Sequence, residues 1–359
     1  MILLLRRRGE SMRTGIVVTA RPGVEDLAVR AEELGFSSFW VYDTPMVNGD
    51  PFISLALCAK ATSRIKLGIG VTSPALRSSP AAAAAVSSLN AIAPGRVICG
   101  IGTGNTARRT LGMLPTKMAE LEAFTASMQD LTAGRETVYT EGERTRTIKF
   151  LHVGPYVNTA DPVEFVVAAF GLKAAAIAGR RGAGVISFGL LAPEAWTAFD
   201  ATRRQAAREA GRPEEIDSYV MTSLHVLGDS EDRYSDLARD KMGHIAMALL
   251  TFAADNPSFG ESLEPEEADA MRRLLERRGT TAADPGRHAT LYRNYLGRIE
   301  PGDRDLIVPS LVDKLALIGT RPQLLERIVA MEKAGVDEIV IQPVVDPEAE
   351  MLELAKLMT

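Results

Sequence analysis

A repeated helix–glycine–strand unit constrains the fold of this sequence more than any other feature. Two clear copies, LAVRAEELGFSSFWV and RIVAMEKAGVDEIVI, end at Val41 and Ile341, and a looser copy ends at Phe188. In each copy an amphipathic helix stops at or near a glycine, the residue type that commonly ends a helix. A short strand rich in apolar residues follows. Apolar strands that alternate with helices predict a parallel sheet covered by helices.

The same alternation runs through most of the chain and predicts eight strands. They are expected at 15–19, 38–42, 66–71, 96–101, 163–168, 184–188, 218–227 and 337–342. Eight strands that alternate with helices favour a closed barrel over an open sheet, and closure requires the first and last strands to pair. The predicted fold class is therefore α/β, a single (β/α)8 TIM barrel with insertions.

Two stretches depart from the repeat and predict insertions in a barrel domain that spans 14–359. Residues 134–162 resemble a hairpin or a loop, and residues 255–308 are rich in Arg, Asp, Glu, Gly and Pro. A long insertion at the second point is typical of a lid or a substrate-shaping element, and a surface excursion or a dimer arm is the alternative. Residues 1–13 are predicted to be a disordered extension, with Met12 as an alternative start.

Composition excludes several classes of protein. The formal net charge of −5 disfavours a nucleic-acid surface. No apolar run approaches the ~20 residues that a membrane span needs, and the N-terminus lacks the residue order of a secretory signal. The two cysteines, Cys58 and Cys99, fall in helix and strand patterns and are predicted to be reduced core residues. These observations predict a cytoplasmic protein without a nucleic-acid or membrane partner.

Small and polar residues follow the predicted strands where a barrel enzyme has its active site. Thr72-Ser73-Pro74 follows one strand, and Gly102-Thr103-Gly104-Asn105 follows the next. Small residues at the C-terminal ends of barrel strands let a flat cofactor lie close to the backbone. Further along, Ala168–Lys173 follows a strand and opens an Ala-rich helix, whose N-terminal amides can hold a phosphate. A plain turn between strand and helix is the alternative for this last segment.

Other chemistries lack their residue patterns. The four histidines, at 152, 225, 244 and 288, are not spaced as metal ligands on one helix, so no metal site is predicted. Neither a Gly-x-Ser-x-Gly elbow nor a Walker loop is present. Few carboxylates follow strands, Asp43 being the clearest, which disfavours a glycosidase. A site for a cofactor other than a metal remains.

In their order and spacing, these segments resemble the bacterial-luciferase-like oxidoreductases, nearest the methylenetetrahydromethanopterin reductase-like branch. Enzymes of that branch use reduced flavin or the deazaflavin coenzyme F420. The resemblance extends from about Thr14 to the C-terminus. Its most specific part is Gly68–Gly112, and the other segments that carry it are Phe36–Asp43, Val166–Ile186 and Leu311–Pro343. It implies a TIM barrel that holds the cofactor ring in its mouth.

The resemblance also implies roles for individual residues. It implies a non-proline cis peptide bond between Gly70 and Val71, in a bulge behind the cofactor ring. Asp43 and Asn105 become the candidate catalytic residues. The candidate cofactor-binding residues are Gly70, Val71, Ser73, Thr103, Gly104, Arg108, Ala169, Phe170, Gly171 and Lys173.

The sequence departs from one branch of that family at two positions that bear on the reaction. The family's deazaflavin-dependent sugar-phosphate dehydrogenase has a histidine where this chain has Thr44, and a glutamate where it has Asn105. Both proton-transfer groups of that enzyme are replaced, which disfavours sugar oxidation by its mechanism. Hydride transfer and oxygen activation remain open, because the cofactor carries most of that chemistry.

The leading hypothesis is a luciferase-like flavin-dependent oxidoreductase or monooxygenase that acts on a small organic substrate with reduced FMN. A separate flavin reductase is then a candidate partner. One alternative is hydride transfer with coenzyme F420 as a reductase or dehydrogenase, and another, of a different class, is a non-catalytic barrel subunit. Oxygenation needs a dry pocket, and the side chains that are candidates to line it are Met46, Phe52, Met113, Trp196 and Phe199. Ordinary core packing is the favoured interpretation of apolar residues at such spacings.

A homodimer is expected, because the family tends to dimerise through helices on the side of the barrel. The helix predicted at Pro80–Ala93 contains five consecutive alanines at 81–85, which allow two helices to approach closely. Packing within one chain explains these alanines equally well. The identity of the substrate is not encoded in any motif of the sequence.

Overall fold

The fold was analysed in a computed structural model that describes residues 12–358. Its strands are β1 (Arg13–Val18), β2 (Ser38–Val41), β3 (Lys66–Thr72), β4 (Val97–Ile101), β5 (Thr137–Glu141), β6 (Arg144–Ile148), β7 (Glu164–Ala168), β8 (Gly184–Phe188), β9 (Ser218–Val226), β10 (Ala316–Gly319) and β11 (Glu338–Ile341). Within these residues, eight parallel strands close into a barrel in the order β1-β2-β3-β4-β7-β8-β9-β11, and β11 pairs with β1. The predicted (β/α)8 barrel is confirmed.

All eight predicted strands are present, each within two residues of its expected bounds. The strand that the sequence analysis missed is β10, which follows a helix without an intervening turn. Strand β9 is long enough to pair with two strands on one side. Its first half pairs with β11 and its second half pairs with β10. On its other side β9 pairs with β8. The missed strand thus extends the barrel wall at the mouth.

Helices cover the outside of the barrel. They are α1 (Val24–Glu33), α2 (Pro51–Ala61), α3 (Ser79–Ile92), α4 (Asn105–Arg109), α5 (Met118–Thr132), α6 (Leu172–Arg181), α7 (Pro193–Glu209), α8 (Asp236–Asp255), α9 (Pro257–Gly260), α10 (Pro265–Arg278), α11 (Arg287–Leu291), α12 (Pro309–Leu315), α13 (Arg321–Ala334) and α14 (Pro347–Met358), with a 3₁₀ helix at Pro301–Leu306. Helix α3 packs against α2 and α5 with Ala82 and Ala83 buried. Packing within the chain therefore uses part of the Ala-rich face, and the homodimer stays a prediction.

The two stretches that break the repeat have structure of their own. Residues 134–162 contain the antiparallel hairpin β5–β6, one of the two forms expected there. Residues 255–308 contain α9, α10, α11 and the 3₁₀ helix, and α10 packs against α8. Residues 1–11 of the extension predicted at 1–13 lie outside the described residues. Its last residue, Arg13, already belongs to β1.

The interior of the barrel is filled with side chains. Trp40 and Tyr219 meet edge to face, with ring centroids 5.2 Å apart, and Ile98 and Val166 belong to the same buried cluster. Gly68 faces the Trp40 ring so closely that a side chain there would collide with it. Because the lumen is full, a ligand has to bind above it, where the strands end.

Polar side chains close the opposite end, where the strands begin. Ser38 donates a hydrogen bond to Glu338. Arg13 forms an ion pair with Asp217 at 2.6 Å and lies 3.4 Å from the Glu338 carboxylate. Burial raises the pKa of Glu338 to about 7, although the charge of Arg13 and the Ser38 hydrogen bond lower it. These contacts bridge β1 and β11 across the seam at which the barrel closes.

Three further features bear on what the chain is. Cys58 and Cys99 are buried and free, as predicted. Within residues 12–358, no helix combines the length and the apolar character that crossing a bilayer requires. The same residues contain no group of three or more potential His, Cys, Asp or Glu metal ligands.

A charged cluster at the end of β9 fastens the C-terminal helix α14 to the barrel. His225 lies 2.8 Å from Glu231 and 3.0 Å from Lys241, and Lys241 donates to Glu353 of α14 at 2.6 Å. Glu353 also accepts the backbone N–H of Val226 at 2.7 Å. Burial raises the pKa of Glu353, but hydrogen bonds from His225 and Lys241 outweigh this effect and lower the pKa from 4.5 to about 2.

Replacing Glu353 with Gln is expected to destabilise the fold at pH 7 by about 2 kcal/mol. A carboxylate with a depressed pKa in the folded state stabilises the fold above its unfolded pKa of 4.5, and this contribution is lost as the pH falls toward 2. Urea titrations should show that the free-energy difference between the two proteins is largest above pH 5 and shrinks toward pH 3. Glu348→Gln, at an exposed position of α14, is the control. A difference that stays constant with pH would show that ionisation of Glu353 does not cause the effect.

Candidate active site

The ends of β3 and β4 lie side by side at the mouth of the barrel. The peptide bond between Gly70 and Val71 is cis, as the family resemblance predicted. A Cβ at Gly100 would lie 2.6 Å from Val71 Cγ1, and a Cβ at Gly102 would lie 2.9 Å from Val71 Cγ2. Glycine at both positions is therefore required for the approach of β3 to β4. Val71 is left half-buried, in contact with the side chains that fill the lumen.

Four of the predicted cofactor-binding residues form one contiguous patch beside Val71. Gly104 precedes α4 with φ +70°, and a Cβ there would lie 2.6 Å from Ser73 Oγ and 3.4 Å from Arg108 Cγ. The carbonyl oxygen of Thr103 accepts hydrogen bonds from the backbone N–H and the hydroxyl of Thr116, each at 3.0 Å. These bonds hold the loop after α4 against the same patch.

The segment between β7 and α6 exposes the beginning of a ten-residue helix. Ala169 is buried, whereas the Phe170 side chain is 75% exposed. Gly171 is the N-cap of α6, and nothing lies within 4 Å of the position that its Cβ would occupy. The first amides of a helix have no acceptor within the helix, and glycine has no side chain to accept from them. With the exposed Lys173 beside them, these amides suit a phosphate group.

Asp43 lies directly after β2 and is only 3% exposed. Its Oδ2 lies 3.7 Å from Arg77 Nε. Arg77 also pairs with Asp50 and stands over the ring of Phe52, 4.6 Å from its centroid. Burial raises the pKa of Asp43 above its usual value, although a hydrogen bond from Thr72 and the charge of Arg77 lower it. Asp43 therefore keeps its proton to a higher pH than a solvated aspartate does.

Asn105, the other predicted catalytic residue, opens α4 and is tied to the long insertion. Its Oδ1 accepts a hydrogen bond from Arg109 Nε at 2.8 Å. Arg109 in turn donates to Asp255 Oδ2 at 2.9 Å. Asp255 also accepts from Arg287 Nη1 at 2.9 Å and from the Tyr292 hydroxyl at 3.2 Å. We call Arg109, Asp255, Arg287 and Tyr292 the Asp255 cluster.

Residues of the insertion that the sequence analysis did not single out enter the mouth of the barrel. Leu296 and Tyr295 pack on the side chains that fill the lumen. Gln342, which follows β11, donates to the carbonyl oxygen of Leu296 at 2.7 Å and accepts from the Tyr42 hydroxyl at 2.7 Å. The Tyr295 hydroxyl lies 3.4 Å from Thr106 Oγ1. No local motif signals these contacts, because their partners come from distant parts of the chain.

A cavity of about 720 Å³ lies beside this loop. It is lined by residues 19–21 after β1, residues 46–48 after β2, residues 110 and 111 after α4, and residues between 288 and 298 of the insertion. We call it the insertion cavity. The predicted cofactor-binding residues lie outside its lining, at the ends of β3, β4 and β7.

The structure separates the five apolar side chains that were candidates to line a dry pocket, and most of them follow the favoured alternative of ordinary packing. Met46 lines the insertion cavity, but Trp196 and Phe199 pack in the core with ring centroids 5.4 Å apart. Phe52 lies under Arg77, and Met113 is half-exposed in the loop after α4. The spacing of Trp196 and Phe199 on α7 reflects ordinary packing of a helix against the barrel.

Comparison with known proteins identifies the family. The family model described as luciferase-like monooxygenase matches residues 1–338. The chain belongs to this family. Like its members it is an oxidoreductase, and the resemblance drawn from the sequence is confirmed.

Two relatives by sequence and one solved structure illustrate the range of the family. The chain is 30% identical over 293 residues to an F420-dependent glucose-6-phosphate dehydrogenase of Intrasporangium calvum, covering 76% of this chain and 84% of that protein. It is 28% identical over 331 residues to a 5,10-methylenetetrahydromethanopterin reductase of Methanolobus tindarius, covering 89% and 90%. The oxygenating constituent of 3,6-diketocamphane monooxygenase of Pseudomonas putida, in complex with FMN, shares the fold with a TM-score of 0.62 at 18% identity over 97% of each chain.

Replacing Asp255 with Asn is expected to loosen the insertion, because Arg109 and Arg287 would both face a neutral group. Hydrogen exchange of the amides at 287–296 should accelerate by about ten-fold, while exchange in the barrel strands stays unchanged. Asp313→Asn is a matched control, since Asp313 also accepts from an arginine and a tyrosine, Arg233 and Tyr234, which belong neither to the Asp255 cluster nor to the lining of the cavity. Unchanged exchange at 287–296 in the Asp255 variant would contradict this role of the Asp255 cluster.

Proposed function

We propose that the chain is a coenzyme F420-dependent oxidoreductase that moves a hydride between the deazaflavin and a small organic substrate. The observation that carries this proposal is that its sequence relatives are a dehydrogenase named as F420-dependent and a methylenetetrahydromethanopterin reductase, of which the chain covers 84% and 90%. Their names favour the alternative drawn from the sequence over the leading hypothesis of reduced FMN with oxygen. The cytoplasmic location and the homodimer stay predictions.

The residues at the mouth fit a cofactor that combines a flat ring with a phosphate. Val71, Gly102 and the small side chain of Ala168 would hold the ring. These three residues are close together, because a Cβ at Gly102 would lie only 3.3 Å from Ala168 Cβ. The backbone amides at the start of α6, together with Lys173, would hold the phosphate. When bound, F420 supplies or accepts the hydride. The strands that carry these residues, β3, β4 and β7, are direct neighbours in the barrel.

The chain's own residues orient the substrate and hold protons. Asp43 follows β2, which is the direct neighbour of β3, and its raised pKa suits a group that holds a proton. The Asn105 side chain cannot titrate, and its Oδ1 already accepts a hydrogen bond from Arg109. The Asn105 amide nitrogen is left to donate a hydrogen bond to a substrate carbonyl or to the cofactor edge.

We infer a substrate other than a sugar phosphate. Thr44 and Asn105 replace the histidine and glutamate of the sugar-phosphate dehydrogenase to which the sequence is similar. An alcohol carbon requires a base to remove the hydroxyl proton as the hydride leaves. Neither threonine nor asparagine is a base of the required strength, which favours reduction of an acceptor over oxidation of a sugar.

An anaerobic titration with reduced F420 and, in parallel, reduced FMN tests the choice of cofactor. We expect F420 to bind with a dissociation constant in the micromolar range and FMN to bind at least ten-fold more weakly. Cofactor absorbance and fluorescence report binding, and Trp40, which lies in the lumen beneath the mouth, gives a second signal. Tight binding of FMN with none of F420 would restore oxygen chemistry as the better hypothesis. Binding of neither would contradict the proposed function.

Substitution of Gly171 separates phosphate binding from helix stability. Asp and Asn are both good N-cap residues, and the extended conformation and open surroundings of Gly171 accept either. Gly171→Asp is therefore expected to leave the melting temperature unchanged or raised, and to weaken cofactor binding by about ten-fold or more through repulsion of the phosphate. Gly171→Asn, with the same shape and no charge, is the control. Equal affinities of the two variants would place the phosphate elsewhere.

A further inference from the structure

The insertion cavity adjoins the proposed cofactor site but belongs to other strands. Its barrel side comes from residues 19–21 after β1 and 46–48 after β2, while the candidate cofactor residues follow β3, β4 and β7. Strand β2 is the direct neighbour of both β1 and β3. A molecule in the cavity therefore contacts strands that neighbour those of the proposed cofactor site. It does not compete with the cofactor for the same residues.

The charge of the lining is opposite to that of the chain. Three arginines, Arg21, Arg293 and Arg298, line the cavity, and the described residues that line it include no Asp or Glu. The chain as a whole has a net charge of −5. A concave surface with one sign of charge concentrates ligands of the opposite sign. The cavity is thus an electropositive site on an acidic protein.

The ion pairs of these arginines leave much of their charge uncompensated. Arg293 contacts Glu300 at 3.2 Å, with both side chains about half exposed. Arg298 lies 3.8 Å from Asp240, whose two carboxylate oxygens already accept hydrogen bonds from Arg304 at 2.7 and 2.6 Å. Such exposed or shared pairs contribute little free energy, so an incoming anion competes with them readily.

Unusual backbone conformations concentrate at the same cavity. In residues 12–358, four residues other than glycine have positive φ angles: Met46, Ser230, Asn294 and Leu296. Met46 and Asn294 line the cavity, and Leu296 lies between two of its lining residues. Non-glycine residues rarely adopt this region, and those that do cluster at ligand sites, where the surrounding structure enforces them. Three of the four therefore mark this cavity as a built site.

The rest of the lining combines apolar and aromatic side chains with the polar residues Thr19, Asn48, Thr110, His288 and Asn294. Met46 is 78% exposed and Leu111 is 39% exposed. The rings of Tyr292 and Tyr295 lie beside each other at an angle of 51°, with centroids 5.1 Å apart, and both contribute to the wall. Apolar walls with a few convergent charges are typical of small-molecule sites. The cavity therefore suits a ligand with an apolar body and an anionic group.

We propose that the insertion cavity is the substrate site and that the substrate is an amphiphilic anion. A carboxylate, sulfonate or phosphate of the substrate binds between Arg293 and Arg298, with Arg21 on the facing wall. The apolar body lies against Met46 and the two tyrosines and points toward the barrel mouth. The assignment as substrate site rests on the proposed function, whereas the capacity to bind such an anion does not.

Two fluorescent probes of similar size test the binding of an amphiphilic anion. 1-Anilino-8-naphthalenesulfonate has an anionic group, and N-phenyl-1-naphthylamine is its neutral analogue. Arg293→Gln and Arg298→Gln are each expected to weaken binding of the sulfonate by about two- to five-fold, and binding of the neutral probe by less than about two-fold. Raising the salt concentration should weaken sulfonate binding in the unaltered protein more than in a variant that carries both Arg293→Gln and Arg298→Gln. Arg144→Gln, in the β5–β6 hairpin, is the matched control.

A second variant tests the location. Ala289 lines the cavity in an exposed position, so that Ala289→Trp fills the space without disturbing the core. This variant is expected to lose binding of both probes and to retain binding of F420. The proposal would be overturned if the sulfonate still bound to Ala289→Trp, or if its affinity were the same with and without the two arginine substitutions. Failure of F420 to bind while the probes behave as expected would overturn the proposed function alone.

Discussion

The pairing of β1 with β11 is the contact on which the rest of the molecule depends. It joins residues more than three hundred positions apart, such as Gly15 and Val340, and turns an open row of strands into a barrel. The buried contacts of Arg13 and Ser38 with Glu338 span the same seam at the end where the strands begin. Closure brings all eight C-terminal strand ends into one ring. Every feature of the candidate active site follows from that ring, because a full lumen leaves the mouth as the place for a ligand.

Closure also explains why the insertion has a defined position. Gln342 follows the last strand, Tyr42 follows the second, and the hydrogen bonds between them reach the carbonyl oxygen of Leu296. On the other side of the mouth, Asn105 contacts Arg109, which belongs to the Asp255 cluster. The insertion is therefore held on both sides of the mouth, and on one side the residue that holds it, Arg109, is hydrogen-bonded to a candidate catalytic residue. A displacement of Asp255 changes the hydrogen bonding of Asn105 through Arg109.

What the sequence predicted and what it missed have a common physical reason. The eight strands were predicted because each is a short apolar run and most of them follow a helix, and the cis bond at Gly70 because the segment around it resembles a known family. Strand β10 was missed because it follows α12 directly, with no turn residue between them. Arg21, Arg293 and Arg298 were missed because no local pattern places them together. Local patterns encode elements, whereas a cavity wall depends on which elements tertiary folding brings into contact.

The division of the mouth between strand ends and insertion has a consequence for how such a protein diverges. The candidate cofactor residues are fixed by close backbone approaches, at which even one added methyl group collides, as at Gly100 and Gly102. The wall of the insertion cavity includes exposed side chains between 288 and 298, namely Ala289, Arg293, Asn294 and Arg298. Under the proposed assignment of the two sites, evolution is free to change substrate preference in that segment while the residues proposed to hold the cofactor stay the same. One barrel can in this way give rise to enzymes that differ in the substrate they accept.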